Sequence, residues 1–290
     1  MKHVLIAGKG SYIGQSLVRF VEENNLPCEM VELDVQDSSW HNFDFSGYNS
    51  VVLVAGIAHQ KETDENRGLY YEVNRDLAYE IAKTSKAAGV PHLVMLSTMS
   101  VYGLDEGVIT PDTLPAPKNA YGESKLEGEQ LIHSLEDDHF KAAILRPPMV
   151  YGPGCKGNFN SLARLALTLP VFPLVENRRS MVYIDNLCAF IMMCVADQLN
   201  GTLFPQDDEY MNTSEMARLI AEANGKKLRL SACLGVPTNL LTGFIGKARK
   251  AFGTLIYKET ECHSFSYCTV KQKDGVLRSA ELLKTTVNPC

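Results

Sequence analysis

The chain has 290 residues, 45% of them hydrophobic and 21% charged, a composition typical of a globular protein with one large domain or two joined ones. Its 28 basic and 34 acidic residues leave a formal net charge of −6, which argues against a nucleic-acid-binding surface. No apolar run approaches the ~18 residues that cross a bilayer, and the first residues lack the pattern of a signal peptide. We therefore expect a cytoplasmic protein without a membrane span.

The cysteines and histidines predict neither disulfides nor a metal centre. The eight cysteines form no Cys-x-x-Cys pair, and the seven histidines show no metal-ligand spacing. We expect free thiols in a reducing compartment and no bound metal.

The N-terminal segment predicts a dinucleotide-binding turn. A short apolar strand at residues 4–7 is followed by the glycine-rich segment 8–14 and by a helical pattern over residues 15–23. Glycines permit a tight turn, and the N-terminus of the next helix offers N–H groups and a positive dipole end to a pyrophosphate. The predicted cofactor contacts in this turn are Gly8, Ser11, Tyr12, Ile13 and Gly14.

An acidic residue after the second strand is the predicted ribose ligand. The strand at residues 28–33 leads to Asp34, twenty residues after Gly14, where dinucleotide folds place an acid that binds the ribose. Glu32 is the competing candidate, and Val35 is a further predicted cofactor contact.

Apolar strands alternate with helices along the first half of the chain. Further strands are predicted at residues 50–55, 92–96 and 142–146, with a helix over residues 71–89. Continuous apolar strands are expected in a parallel sheet that is covered on both faces. The alternation predicts a doubly wound parallel α/β sheet of the Rossmann type.

The second half of the chain changes character and predicts a smaller α/β region on the C-terminal side. We expect residues 1–154 to form the NAD(P)-binding Rossmann domain, with residues 179–204 returning to it. Residues 155–178 and 205–290 are expected to form the substrate-binding region.

Helix caps are also predicted in this half. Asp185 is a good N-cap for a helix over residues 186–196, and Thr213 or Ser214 for the helix that follows them. Residues 236–252 carry apolar side chains at helical spacing beside basic ones, which predicts a helix packed on the second domain, with a membrane-surface helix as the alternative.

Tyr121 and Lys125 are the leading candidates for proton transfer. They stand four residues apart at the start of a helical pattern, so their side chains share one helix face. An ammonium beside a phenol favours the phenolate, and we expect it to lower the pKa of Tyr121. A further hydroxyl group, Thr98, follows the strand at residues 92–96, where parallel sheets bind ligands at their carboxyl ends.

Taken together, these motifs resemble the extended short-chain dehydrogenase/reductases, in their UDP-glucose 4-epimerase-like branch of nucleotide-sugar epimerases and dehydratases. The resemblance covers nearly the whole chain. The segments that carry it are Gly8-x-x-Ser11-x-x-Gly14, Ala55-Gly56-Ile57-Ala58, Asn74, residues 97–103, Tyr121-x-x-x-Lys125, Leu145-Arg146-Pro147, residues 150–154 and residues 179–185.

The resemblance implies roles for individual residues. Tyr121 and Lys125 would be the acid/base pair, and Thr98 the catalytic hydroxyl that also contacts the substrate. Lys125 would bind the nicotinamide ribose and keep Tyr121 acidic. The further cofactor contacts implied are Ala55, Gly56, Ala58, Asn74 and Pro148, and the further substrate contacts are Asn158 and Arg179.

The implied function is NAD(P)-dependent epimerisation at C4 of a UDP-hexose or UDP-N-acetylhexosamine by a homodimer, in surface polysaccharide biosynthesis. The cofactor preference is NAD, because Asp34 would repel a 2′-phosphate, although Lys9 could attract one and favour NADP. Dehydratases of the family carry an Asp-Glu pair after the catalytic threonine. Met99 and Ser100 stand there, so we expect no 4,6-dehydration.

Two other functions remain open. An NAD(P)H-dependent UDP-4-keto-6-deoxyhexose 4-reductase would use the same residues but consume a reduced cofactor in each turnover. A non-catalytic NAD(P)-binding redox sensor would keep the fold, but its hallmark would be loss of Tyr121 or Lys125, and both are present.

Overall fold

The computed structural model describes residues 1–58, 60–233, 252–258 and 265–281. The strands are β1 Lys2–Ala7, β2 Cys28–Leu33, β3 Ser50–Leu53, β4 His92–Leu96, β5 Gly107–Ile109, β6 Lys141–Leu145, β7 Met149–Tyr151, β8 Val171–Pro173, β9 Met181–Tyr183, β10 Gly201–Leu203, β11 Arg229–Ser231 and β12 Leu255–Tyr257. The helices are α1 Tyr12–Glu23, α2 Arg67–Tyr71, α3 Ala78–Ala87, α4 Ala120–His133, α5 Asn158–Thr168, α6 Ile184–Asp197, α7 Thr213–Ala223 and α8 Gln272–Glu281. A π-helical segment, Glu72–Leu77, joins α2 to α3.

A six-stranded parallel sheet confirms the predicted fold class. Its order is β10-β6-β4-β3-β1-β2, and each neighbouring pair is parallel. The chain runs from β1 outward to β2 and then returns to β3 on the other side of β1. This reversal places the ligand crevice of a doubly wound sheet at the carboxyl ends of β1 and β3.

The central strands are apolar because both of their faces are covered. The last four residues of β1 and all residues of β3 and β4 are buried. Trp40, Phe45 and Phe140 pack into the same core with residues of the strands and of α3. Burial of these side chains supplies much of the driving force that holds the strand ends in place.

The chain forms two compact units. The first comprises Met1–Gly103, Leu114–Pro148 and Leu187–Pro205, and it contains the six-stranded sheet. The second comprises Leu104–Thr113, Met149–Asn186 and Gln206–Cys290. Its described strands form the parallel pairs β8–β11, β5–β12 and β7–β9.

Three local predictions are corrected. The helix expected at residues 71–89 contains the π-helical segment Glu72–Leu77, in which Asn74 turns into the core. Helix α6 begins at Ile184, so Asp185 lies in its first turn. Asn212 caps α7, because its side-chain oxygen accepts the N–H groups of Ser214 and Glu215.

Most of the predicted helix at residues 236–252 lies outside the described residues. No helix in the part of the chain that is described has both the length and the apolarity needed to cross a bilayer.

Candidate active site

The glycine turn after β1 is built by close backbone packing. Gly8 has a φ of +127°, and a Cβ at this position would lie 2.7 Å from the backbone nitrogen of Ala55. Its N–H donates to the carbonyl of Leu33 at 3.0 Å. Only glycine combines this φ with this approach, so the turn stays open as a backbone cradle. That arrangement fits the pyrophosphate of a dinucleotide.

Ser11 is the N-cap of helix α1 and fixes the end of the glycine turn. Its Oγ accepts the N–H of Gly14 at 3.1 Å, which satisfies one of the unpaired N–H groups at the helix start. A Cβ at Gly14 would lie 2.7 Å from that Oγ. Tyr12 and Ile13, both partly buried, form the first turn of α1.

Both candidate ribose acids lie at the end of β2. The carboxylate of Glu32 accepts the N–H of Gly10 at 3.1 Å and is tied to the glycine turn. Asp34 is exposed, and its carboxylate accepts the N–H of Gln36 at 3.0 Å. Val35 is buried beside it. The choice between Asp34 and Glu32 stays a prediction.

The segment after β3 is held by a buried amide. Asn74 is 0% exposed; its Oδ1 accepts the N–H of Ile57 at 2.9 Å, and its Nδ2 donates to the Ile57 carbonyl at 3.2 Å. The same Nδ2 donates to Ser124 on α4 at 3.1 Å. This ties the predicted contacts Ala55, Gly56 and Ala58 to the helix that carries Tyr121 and Lys125.

Tyr121, Lys125 and Thr98 are brought together at the carboxyl end of β4. Asn119 caps α4 by accepting the N–H of Gly122 at 2.9 Å, which places Tyr121 in the first turn. Thr98 is near enough to the Tyr121 phenol to lower its pKa. The ammonium of Lys125 donates to the carbonyl of Leu96 at 2.8 Å.

Lys125 also fills the space beside the segment after β3. A Cβ at Gly56 would lie 2.9 Å from its Nζ. On the other side of β4, the N–H of Met99 donates to the carbonyl of Pro147 at 2.9 Å. This bond fixes the start of the next turn beside the predicted contact Pro148, which is buried.

The predicted lowering of the Tyr121 pKa by Lys125 is wrong for this structure. Burial raises the pKa of Tyr121, the Thr98 side chain lowers it, and the neighbouring Tyr70 raises it further. Burial lowers the pKa of Lys125 to about 8, although the carboxylate of Glu129 raises it. The ammonium is bound to the Leu96 carbonyl, so desolvation rather than an adjacent cation dominates the acidity of the phenol.

Sequence reasoning missed a buried polar network behind these three residues. It links Glu129 on α4 to Ser97, which precedes Thr98, and to Arg146 at the end of β6. Arg146 also donates to the hydroxyl of Tyr102 at 2.8 Å. The spacing in the sequence could have indicated Glu129, because it follows Lys125 by four residues, as Lys125 follows Tyr121, and residues four apart share a helix face.

The predicted substrate residues Arg179 and Asn158 belong to the second unit. The backbone N–H and carbonyl of Arg179 pair with those of Met211, each bond at 2.9 Å, and its guanidinium donates to the Gly253 carbonyl at 2.8 Å. Burial lowers the pKa of Arg179, whereas the carboxylate of Asp105 raises it. Asn158 is the exposed first residue of α5.

The sheet reversal, the backbone cradle and the helix that carries Tyr121 and Lys125 define a Rossmann-type dinucleotide-binding protein. The described residues contain no cluster of three or more His, Cys, Asp or Glu side chains suited to a metal ion. The chain belongs to the NAD dependent epimerase/dehydratase family, whose sequence model matches residues 4–204. The predicted cofactor class, NAD, agrees with this membership.

Two curated relatives cover most of the chain. A UDP-glucose 4-epimerase of Vibrio cholerae is 32% identical over 236 residues, which are 75% of this chain and 70% of the relative. N-acetyl-alpha-D-glucosaminyl-diphospho-ditrans,octacis-undecaprenol 4-epimerase of Escherichia coli O157:H7 is 24% identical over 94% of this chain and 87% of its own length.

Solved structures share the fold. UDP-glucuronic acid 4-epimerase from Bacillus cereus, solved in complex with NAD, matches with a TM-score of 0.75 at 20% identity, over 98% of this chain and 97% of its own. A dTDP-4-dehydrorhamnose reductase from Clostridium acetobutylicum has the same TM-score at 19% identity, over 97% and 99% of the two chains.

Proposed function

We propose that the protein is an NAD-dependent nucleotide-sugar 4-epimerase. The observation that carries the proposal is the convergence of three side chains near the carboxyl end of β4: Thr98 acts on the Tyr121 phenol, and the buried ammonium of Lys125 donates to the Leu96 carbonyl. The Vibrio cholerae relative supports the reaction type, because its similarity extends over three quarters of this chain.

The proposed chemistry removes a proton from the C4 hydroxyl of the sugar. A bound NAD would supply the hydride chemistry, namely oxidation at the same carbon and reduction from the opposite face of the sugar. Tyr121 accepts the hydroxyl proton and later gives it back, and Thr98 donates a hydrogen bond that stabilises the oxygen as its charge changes. Before substrate binds, burial raises the pKa of Tyr121 and the Thr98 side chain lowers it.

The cofactor would be held by the backbone cradle at Gly8 and Gly14, by an acid at the end of β2, and by Lys125. We favour NAD over NADP, because Glu32 is fixed against the glycine turn and Asp34 is exposed beside it. Two carboxylates there would repel a 2′-phosphate more strongly than Lys9 attracts it.

The proposed substrate is a UDP-hexose or a UDP-N-acetylhexosamine that serves surface polysaccharide synthesis. Arg179 offers a planar set of donors that suits a diphosphate, and Asn158 is the second proposed contact. We propose that the second unit supplies these substrate contacts. The name of the Escherichia coli relative adds a polyprenyl-diphosphate-linked sugar to the substrates to be tested.

We propose that the enzyme does not catalyse 4,6-dehydration. Dehydration needs an acid and a base beside the catalytic hydroxyl, and Met99 and Ser100 occupy those positions in the turn after Thr98. Neither side chain is a carboxylic acid. A 4-keto-sugar reductase remains the alternative reaction for the same three residues.

Product analysis with each substrate separates these reactions. The protein is incubated with UDP-glucose, UDP-N-acetylglucosamine, a UDP-4-keto-6-deoxyhexose and polyprenyl-diphospho-N-acetylglucosamine, each with and without NAD(P)H. A C4 epimer formed without net cofactor consumption supports the proposal. Stoichiometric loss of NAD(P)H absorbance identifies a reductase, and absence of turnover in every arm despite NAD binding favours the sensor.

A further inference from the structure

We propose that the buried ion pair of Glu129 and Arg146 positions Thr98 and supplies the negative charge on the Lys125 side of α4. The two residues are positioning residues, since neither is placed against substrate or cofactor. This inference rests on the proposed function, but its key measurement does not need turnover.

The pair is almost fully desolvated. Glu129 is 1% exposed and Arg146 is 8% exposed. The Nε of Arg146 lies 3.1 Å from both carboxylate oxygens, and a second guanidinium nitrogen lies 2.5 Å from Oε2. A multidentate pair of this kind has one geometry, and removal of either partner leaves an unpaired buried charge.

The pair joins every element that carries a predicted catalytic residue. Glu129 lies on α4 eight residues after Tyr121, and its carboxylate accepts a hydrogen bond from Ser97, the neighbour of Thr98. Arg146 lies at the end of β6, and its guanidinium binds the hydroxyl of Tyr102, which closes the turn after Thr98. The pair therefore fixes Thr98 from the residue before it and from the turn after it.

The negative charge of Glu129 also acts on Lys125, four residues earlier on α4. The groups near the ammonium are the Leu96 carbonyl from β4 and, beside Gly56 in the segment after β3, the side-chain amide of Asn74. These groups carry no formal charge. Among the described residues, Glu129 is the charged group that acts on Lys125, and Arg146, the residue after β6, contacts that carboxylate.

This environment predicts a defined pH effect. Burial lowers the pKa of Lys125 to about 8, and Glu129 opposes the decrease. Removal of the negative charge lowers the pKa of Lys125 further. The ammonium would then lose its proton nearer to neutral pH, and activity that needs a charged Lys125 would decline at a lower pH.

The test compares Glu129→Gln with a matched control on the same helix. Glu127→Gln removes the same charge from an ion pair with Arg75 that is partly exposed. A double variant, Glu129→Gln with Arg146→Met, removes both buried charges and leaves no unpaired one. Far-ultraviolet circular dichroism and thermal unfolding report whether each variant folds.

The first readout is the pKa of Lys125 itself. It is measured by NMR titration of lysine side chains labelled at Cε, with Lys125 assigned by the Lys125→Arg variant. We expect a downward shift of about one unit or more in Glu129→Gln, a smaller downward shift in the double variant, and none in Glu127→Gln. This measurement needs no substrate and holds even if the proposed function is wrong.

The second readout is the pH dependence of kcat/KM. We expect the alkaline limb to move to lower pH in Glu129→Gln and in the double variant, and to stay in place in Glu127→Gln. A folded Glu129→Gln protein with an unchanged Lys125 pKa would overturn the inference. Loss of folding in both the single and the double variant would also overturn it, because the pair would then serve the stability of the fold.

Discussion

Glu129 in the first unit and Asp207 in the second are both buried carboxylates, but different partners stabilise them. Glu129 accepts hydrogen bonds from the guanidinium of Arg146. Within the described part of the chain, the donors to Asp207 are neutral, and burial raises the pKa of Asp207 to about 6. Those donors are the Tyr183 N–H at 3.0 Å, the Asn186 amide at 2.8 Å and the Tyr151 hydroxyl at 2.9 Å.

Because their partners differ, we expect substitutions of the two carboxylates to affect different properties. Loss of the Glu129 charge should change the ionisation of groups that are proposed to take part in the reaction. Loss of the Asp207 charge should change the free energy of unfolding, because its partners Tyr151 and Tyr183 belong to the strands β7 and β9. The following substitutions test whether the two effects stay separate.

The largest expected effect is on activity, from Tyr121→Phe. Loss of the proposed proton acceptor should reduce kcat by about 100- to 10,000-fold, while the unfolding midpoint stays near that of the parent. Tyr71→Phe is the control, since its hydroxyl donates to Glu123 at 2.5 Å outside the proposed catalytic group. Near-parental turnover of Tyr121→Phe would end the assignment.

The next effect is on cofactor binding, from Gly8→Ala. The new Cβ would meet the Ala55 backbone at 2.7 Å in a backbone conformation with positive φ. We expect NAD affinity, measured by calorimetry, to fall at least about tenfold, and the fold to lose about 1–3 kcal/mol. Gly47→Ala also has positive φ but open space around it, so it should show strain without loss of NAD affinity. Equal NAD affinity in the two variants would contradict a cradle at Gly8.

The third effect concerns the pH dependence of stability, from Asp207→Asn. An acid whose folded pKa is raised above its unfolded value contributes stability below the unfolded pKa, near 4, and loses it as pH rises through about 6. The parent should therefore lose about 1–3 kcal/mol from this group between pH 4 and 7. Asn resembles the protonated acid, so the variant should lack this decrease.

Urea unfolding at a series of pH values measures this difference. Asp208→Asn is the comparison, since Asp208 is the smallest of the influences on the Asp207 pKa, and it should keep most of the parental slope. The alkaline limb of kcat/KM should be unchanged in Asp207→Asn. Identical slopes in the parent and Asp207→Asn would remove the contrast with Glu129.

The smallest expected effect is on substrate affinity, from Arg179→Lys. An ammonium cannot imitate the planar donor set, so KM for the nucleotide sugar should rise about tenfold with little change in kcat. Arg178→Lys is the neighbouring control, because its guanidinium lies 5.5 Å from the centre of the Tyr210 ring. An unchanged KM in Arg179→Lys would remove Arg179 from the proposed substrate contacts.

Patterns with local causes were predictable from the sequence. The strand, glycine turn and helix at the N-terminus follow from residue types at fixed spacing, and so does the alternation of apolar strands with helices. Tyr121 and Lys125 share a helix face because the helical repeat puts residues i and i+4 together. The cap of α7 is Asn212 rather than Thr213 or Ser214, because three adjacent polar residues could cap this helix and the sequence does not rank them.

Long-range contacts could not be read from the sequence. Ser97, Glu129 and Arg146 come from three segments, and only the packing of α4 against β4 and β6 places their side chains together. The buried amide of Asn74, in the π-helical segment, likewise binds the backbone of Ile57, seventeen residues earlier in the chain.

By itself the sequence determined the fold class, the family and the candidates for proton transfer, because these depend on residue types and their spacing along the chain. Only the tertiary structure decided the electrostatic environment of those candidates. Burial raises the pKa of Tyr121 where an adjacent ammonium was expected to lower it, and Lys125 is bound to the Leu96 carbonyl. The physical reason is that desolvation and charge pairing depend on what surrounds a side chain in space.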